Sequence, residues 1–437
     1  MHDEPDVSDP HGADYRQENR FASARTCWQG DAVLLDLTPL RTSPAFRRWW
    51  TGRTCSAFGG QLTLVAVLFQ VWGATGSTVW TGAAALAQAL PILAFGLFAG
   101  ALVDRVERRR FYLWTITGQA VCSIVLAVQG FLGGLPMPVL LAVLAVQSTF
   151  GAGSGPAART FVPHLLPAEQ LAAGLALNRI SFQGAMLLGP ALAGVALGWL
   201  GLGGCYALDA ATFLLAFHGV LGLPRVRAEG SRPGLRGVAD GLAFLVREPG
   251  VRGALLTDLA SMVLSMPVSL FPLVNAERFG DNPRTLGLFL SAIAVGGVVA
   301  SVFSGTFTRL PRPGLVMVVG SVGWGVSLTL FGLAPNPWLG LGCLVLAGAA
   351  DTVSVVSRST VIQLRTPDAL MGRAAAAEQM VGQAGPDVGN LRAGLVASAT
   401  SGTAALVSGG VLCVLAVALV AWSTPRLWEP VVDGKFT

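Results

Sequence analysis

Nine ionisable side chains interrupt otherwise apolar stretches of the sequence: Arg53, Arg179, Asp209, Asp258, Asp351, Arg358, Glu378, Asp387 and Arg392. A charge at membrane depth costs roughly 2.5–3.5 kcal/mol on insertion scales, so it persists only beside a partner or a cavity. The chemistry open to these groups is proton exchange and ion pairing. A desolvated carboxylate can hold a proton near neutral pH. Asp351 is therefore the first candidate for protonation, with Asp258, Glu378 and Asp387 as further candidates. Asp351 and Arg358 stand seven residues apart, two turns along one helical face. Asp258 and Arg358 form either a pair that makes and breaks between two states or a static pair that ties helices together. Asp209 reads as structural. The amides Gln61, Gln70, Gln88, Gln119 and Gln147 either contact a ligand or hydrogen-bond across helices.

Other chemistries lack their residues. The single lysine, Lys435, leaves no G-x-x-x-x-G-K-[ST] loop for a nucleotide. Neither H-E-x-x-H nor G-x-S-x-G occurs. Four histidines, at 2, 11, 164 and 218, are too scattered for a metal site. Six cysteines, far apart and without C-x-x-C spacing, read as small buried hydrophobes. No enzyme, cofactor or metal is expected.

These charges are conspicuous because the rest of the chain is so apolar. Of 437 residues, 53% are hydrophobic and only 12% charged, with 55 glycines and a mean hydropathy of +0.62. A soluble domain carries about 25% charged residues. This composition excludes a disordered chain, a coiled coil and a disulfide scaffold, and implies a polytopic α-helical membrane protein. A spanning helix needs about 20 residues. Twelve spans are predicted: 48–73, 79–103, 111–133, 137–158, 171–197, 203–222, 252–275, 284–307, 314–334, 337–362, 372–396 and 402–424. The acidic, polar start has no apolar segment of signal-peptide type. Residues 1–45 read as a disordered cytoplasmic tail, or as sequence upstream of the true start. The remaining organisation is a six-helix half over 46–222, a cytoplasmic linker over 223–250, a second half over 251–424 and a cytoplasmic tail over 425–437.

Basic residues set the orientation. Arg105, Arg108, Arg109 and Arg110 share one set of loops with Arg225, Arg227, Arg232, Arg236, Arg309, Arg312 and Arg365. The alternate loops hold almost none, which places both termini in the cytoplasm. The net charge of +5 is carried by these short clusters. It forms no stripe interleaved with aromatics, so nucleic acid is not a partner. Trp49, Trp50, Trp72, Trp80 and Trp338 fall near span ends and read as interfacial anchors. An offset of 200 residues aligns Thr160 with Thr360, Pro167 with Pro367, Gln183 with Gln383, Gly189 with Gly389 and Gly194 with Gly394. The halves therefore read as repeats about an axis along the membrane normal.

Between spans two and three stands Gly100-Ala-Leu-Val-Asp104-Arg105-Val-Glu107-Arg108-Arg109-Arg110. It resembles the G-x-x-x-D-R-x-G-R-R loop of the major facilitator superfamily, with Glu107 in place of the second glycine. A wider resemblance, from about Leu40 to Pro425, is to the enterobactin-exporter-like and drug-exporter-like branch. It rests on Pro156-Ala157-Ala158-Arg159, Val162-Pro163-His164-Leu165-Leu166-Pro167, Gly189-Pro190-Ala191-Leu192-Ala193-Gly194 and Leu208-Asp209-Ala210-Ala211-Thr212-Phe213. This implies the major facilitator fold. Gly100, Asp104, Arg105, Arg108 and Arg109 become gating residues. Gly189, Pro190 and Gly194 supply close packing and a bend in span five. The resemblance implies a central cavity between spans one, four, seven and ten, on which Arg53, Asp258, Asp351 and Arg358 fall, with Gln61 and Gln147 as further cavity candidates. Many proton antiporters of the family carry an Arg where this chain has Gln147, so proton coupling must use other residues.

The expectation is a monomeric, multi-pass plasma-membrane transporter. It would export a small organic molecule (a siderophore, antibiotic or drug-like compound) in exchange for protons. The alternatives are a nutrient-uptake symporter and a non-transporting scaffold or sensor on the same fold.

Overall fold

The computed structural model describes residues 36–437 except 104–106, 134, 160, 224–246, 308–309, 367–370, 433–434 and 437. Its long helices are α1 (Pro44–Thr75), α2 (Thr78–Val103), α3 (Arg108–Leu132), α4 (Met137–Arg159) and Ala168–Leu221, which is two legs, α5 and α6. They continue with α7 (Pro249–Ser265, resumed over Phe271–Arg278), α8 (Pro283–Val302), α9 (Pro313–Leu333), α10 (Pro337–Arg365), α11 (Met371–Ala399) and α12 (Gly402–Ser423). The α5 and α6 legs meet at Gly201, whose φ of 67° and ψ of −174° only glycine adopts readily. Nine helices among the described residues are long and apolar enough to cross a membrane. Counting α5 and α6 separately, with α2 and the more polar α11 added, gives the twelve spans expected.

The breaks between spans are chemical. Proline opens α1, α7, α8 and α10 just inside a capping side chain, where its missing N–H costs nothing. The Ser43, Glu248, Asn282 and Asn336 side chains accept from first-turn N–H groups at 2.6–3.2 Å. Gly76, at φ 57°, closes α1 in the left-handed region.

The loops define two ends of the bundle, one Arg-rich (around Arg108–Arg110, Arg312 and Arg365) and one Arg-poor. At the Arg-poor end of the second half, Phe271, Phe289 and Phe331 pack in tilted and edge-to-face contacts with ring centroids 5.4–5.7 Å apart. At the Arg-rich end of the first half, Phe46, Trp49, Tyr112 and Phe161 form a second core. Trp49 therefore departs from the anchor role expected for it. It is 1% exposed, because α1 and α6 approach so closely at Gly219 that the ring is turned inward. Trp338 is 78% exposed and Trp199 and Trp422 similarly so, as residues facing lipid or its interface would be.

Two segments expected as tails are partly ordered. Residues 1–35 lie outside the described residues, but Thr38–Thr42 is already helical ahead of α1. After α12, Pro425–Trp428 forms a 3-10 turn that buries Leu427. Arg365 ties this turn to α10 through the Arg426 carbonyl at 2.7 Å and Glu429 at 2.8 Å. Glu248, ahead of α7, joins Arg426 at 3.2 Å and Arg365 at 3.5 Å.

Candidate transport site

The two halves meet at the Arg-poor end. Thr78 Oγ1 of α2 donates to the Gly394 carbonyl of α11 at 2.8 Å, and Thr81 Oγ1 donates to the Ser269 carbonyl at 2.9 Å. The Ala191 N–H of α5 donates to Ser291 Oγ of α8 at 3.0 Å. These three hydrogen bonds between the halves all lie at this end. Small residues make the approach possible. A Cβ on Gly194 would stand 2.6 Å from the Pro283 carbonyl oxygen, and one on Gly394 would strike that of Thr78. These two glycines belong to the 200-residue repeat, and both occupy the same position in symmetry-related contacts. Gly189 packs on Gln61 of α1, while Gly389 packs on Met262 of α7. Gly189 and Gly194 thus serve close packing, whereas Gly201 is the one residue of this long helix with non-helical backbone angles.

Beneath this closure a cavity of about 190 Å³ opens between the halves. Its polar lining comes from Thr81 and Gln88 of α2, Ser148 of α4, Ser269 of α7, and Asp387 and Asn390 of α11. Asn390 fixes the roof: its Oδ1 accepts from Ser269 N at 2.9 Å and its carbonyl from Ser269 Oγ at 2.8 Å. Asp387 is thus the sequence-selected carboxylate that reaches the cavity between the halves. Neither Arg53 nor Gln147 lines this cavity. Gln61 is turned onto Gly189.

The other three proton candidates, Asp258, Asp351 and Glu378, cluster inside the second half. Arg358 of α10 pairs with Asp258 of α7 and, through Nε, with Glu378 Oε1 of α11 at 3.2 Å. Ser359 Oγ donates to the same Glu378 oxygen at 2.8 Å. Arg358 and Asp258 are 6% and 4% exposed, so this cluster joins three helices in a dry interior. Asp351, two turns back on α10, lies within electrostatic reach of both Asp258 and Arg358. One oxygen, Asp258 Oδ2, has no hydrogen-bond partner among the described residues.

The first half holds a different network. Asp209 of α6 is fully buried. Its Oδ2 accepts from Thr63 Oγ1 at 2.8 Å and Ser123 Oγ at 2.7 Å, and Gln147 Nε2 donates to Ser123 at 2.8 Å. Gln147 therefore faces its own half. Alongside, Gln70 and Gln129 pair reciprocally at 2.8 and 2.9 Å, with Tyr206 donating to Gln70 at 2.7 Å. Replacing Ser123 with Ala removes one of two donors to a buried carboxylate. It is expected to destabilise the protein by about 1–3 kcal/mol in denaturant titration, and an unchanged midpoint would refute the load assigned to that bond.

Of the proposed gate, Asp104 and Arg105 lie outside the described residues, and Gly100 sits in α2. Arg109 donates to the Leu221 carbonyl at the end of α6. Arg108 begins α3 beside it. Thr81, Ser269 and Asn390 were not singled out in the sequence. Their signal was faint: short polar side chains in apolar runs, common wherever helices hydrogen-bond.

Twelve spans in two related halves, closed at one end over a cavity between them, define a transporter of the major facilitator type. The chain belongs to the transmembrane secretion effector family within it, whose profile matches residues 35–431. It is 30% identical over 351 residues to the enterobactin exporter EntS of Escherichia coli O1:K1 / APEC, covering 78% of this chain and 82% of that one. Its identity to the enterobactin exporter of Citrobacter koseri is 31% over the same length and shares. Among solved structures, the nucleoside transporter NupG superposes with a TM-score of 0.70 at 12% identity, over 88% of this chain and 98% of that one. A bacterial homologue of the iron transporter ferroportin in an inward-facing state gives 0.67 at 15% identity, over 88% and 98%. At these identities the structural likeness speaks for the fold.

Proposed function

We propose that this transporter exports a small organic molecule across the plasma membrane by alternating access, driven by protons entering in exchange. The observation that carries the reading is Asp387: a carboxylate on the wall of the cavity between the halves, directly under the closed end. Loading this position with a proton or releasing it changes the charge of the cavity itself, so proton and substrate can compete for one space. The buried Asp258–Arg358–Glu378 cluster with Asp351 supports a second proton-sensitive point inside the second half. The relatives named as enterobactin exporters support export and a siderophore-like or drug-like substrate. The arginine distribution supports cytoplasmic termini, so the cavity is closed toward the outside. In this view Asp104, Arg105, Arg108 and Arg109 govern the cytoplasmic gate, and a monomer suffices for transport.

The test uses inverted membrane vesicles with an acidic interior and a fluorescent drug-like substrate supplied outside. Asp387→Asn is expected to abolish gradient-dependent accumulation at least tenfold while leaving the amount of folded protein unchanged. Undiminished accumulation with the same pH dependence would remove Asp387 from the coupling path. Asp351→Asn in the same assay separates the two carboxylate positions: if only that variant uncouples, the proton acts inside the second half and not in the cavity.

A further inference from the structure

A second cavity, of about 560 Å³, lies wholly inside the first half toward its Arg-rich end. It is bounded by α1, α3, α4, α5 and α6, and is separate from the cavity under the closure. Its polar groups are one-sided. Arg53 of α1 and Arg179 of α5 enter it with the amides of Gln119 and Asn178 and the hydroxyls of Thr54 and Tyr112, and none of the described residues lining it is acidic. Arg53 lies 5.9 Å from the Trp49 ring face and against the Tyr112 hydroxyl. Among the described residues no carboxylate pairs with either arginine, whereas Arg358 in the other half has two.

Thr54 supplies an independent observation. Hydroxyls around it return to their own helix: Thr51 to the Arg47 carbonyl at 3.0 Å, Ser154 to Gly151 at 2.9 Å and Ser181 to Leu177 at 2.9 Å. Thr54 is among the residues lining the cavity, and its buried Oγ1 has no hydrogen-bond partner among the described residues. A buried hydroxyl left unpaired costs about 1–3 kcal/mol. The two uncompensated cations mark a place that an acidic group can enter, and the unpaired Thr54 hydroxyl stands at its wall, where a change of rotamer would bring it to an acceptor. Phe182 and Phe213 on the same wall offer an apolar surface beside it.

We infer that this cavity binds the acidic group of an amphiphilic anion, a carboxylate or phosphate with an apolar body, between Arg53 and Arg179. The inference deepens the transport reading and rests on it for the ligand's role, but binding itself requires no transport. Two sources present this chemistry: a soluble organic acid and the headgroup of an anionic lipid. The test is equilibrium binding to the purified full-length protein in nanodiscs. The probes are 2-naphthoate and its uncharged methyl ester, followed by tryptophan fluorescence.

Naphthoate is expected to bind at least tenfold more tightly than the ester. Arg53→Gln and Arg179→Gln should each erase that preference, and Arg53→Lys should retain part of it. Thr54→Val, which keeps shape and removes the hydroxyl, serves where an arginine variant is unstable, and should weaken naphthoate alone. Equal binding of acid and ester, or acid binding untouched by all the variants, overturns the assignment. Repeating the titration in discs of phosphatidylglycerol and of phosphatidylcholine separates the sources. Loss of naphthoate binding only in phosphatidylglycerol identifies the lipid headgroup as occupant, and binding in both identifies the soluble acid. Failure of the proton-coupling assay with intact naphthoate selectivity would strike the transport mechanism and spare this site.

Discussion

Replacing Arg358 with Gln is expected to destabilise the protein by about 3–5 kcal/mol, the range for removing one partner of a buried charge pair. The reason is the number of carboxylates left behind. Asp258, Glu378 and Asp351 all lie around Arg358, so its loss leaves carboxylates of one sign facing each other across α7, α10 and α11. They would relieve the repulsion only by taking up protons or drawing in water. The second replacement should therefore help. Asp258→Asn combined with Arg358→Gln is expected to recover more than half of the lost stability. A double-mutant cycle on unfolding midpoints in mixed micelles measures the coupling, and a coupling below about 0.5 kcal/mol would show the two residues to be independent. Transport measured in the same variants tells a static tie from a working one. If the double variant regains stability and also full transport, the cluster only holds helices together.

The second large effect is expected from the glycine contacts between the halves. Gly394→Val places methyl groups where the Thr78 carbonyl stands, and Gly287→Val does the same against the Pro190 carbonyl. The obstruction is backbone on both sides, so no rotamer change relieves it. A penalty of about 2 kcal/mol on the closed arrangement would shift its population about thirtyfold. With Ala84, on the cavity wall, changed to Cys, a membrane-impermeant maleimide applied from the Arg-poor side should label the variants about thirtyfold faster. Gly342→Val, at a glycine with no atom within 4 Å of a Cβ, should leave the rate unchanged. Equal labelling of Gly394→Val and Gly342→Val in folded protein would mean that the contact does not hold the end shut.

These same glycines show how far the sequence could be read. Gly189 with Gly389 and Gly194 with Gly394 were visible as a 200-residue repeat, and each pair makes matching contacts because the two halves share a packing plan. The twelve spans were equally legible, since their limits are set by proline, capping residues and sparse charge, all local features. Rotation about each helix axis was not legible. Helical spacing puts Asp387 and Glu378, nine residues apart on α11, on opposite faces, but nothing local says which of the two looks into the cavity between the halves. For Gln147 the sequence leaves open a ligand contact or a bond across helices, and it donates to Ser123, because the buried Asp209 network draws the polar groups of α3, α4 and α6 together. Trp49 was placed at the interface for its position near a span end. What turned it inward is the close approach of α1 to α6, a contact between residues some 170 positions apart.

The interruption of α7 at Met266 and Pro267 carries a consequence for how the closed end can move. A continuous helix satisfies its own backbone, but here the chain leaves α-helical geometry after Ser265 and passes through a 3-10 turn over Val268–Leu270. The Ser269 carbonyl is held by Thr81 of the other half, and its N–H and hydroxyl by Asn390. When the halves part at this end, the Thr81 bond is lost and a main-chain acceptor is stranded at membrane depth, which costs several kcal/mol in hydrocarbon. Water can take the place of Thr81, and lipid cannot. Opening is therefore coupled to hydration: this end can part only where water, and not lipid, reaches the Ser269 carbonyl.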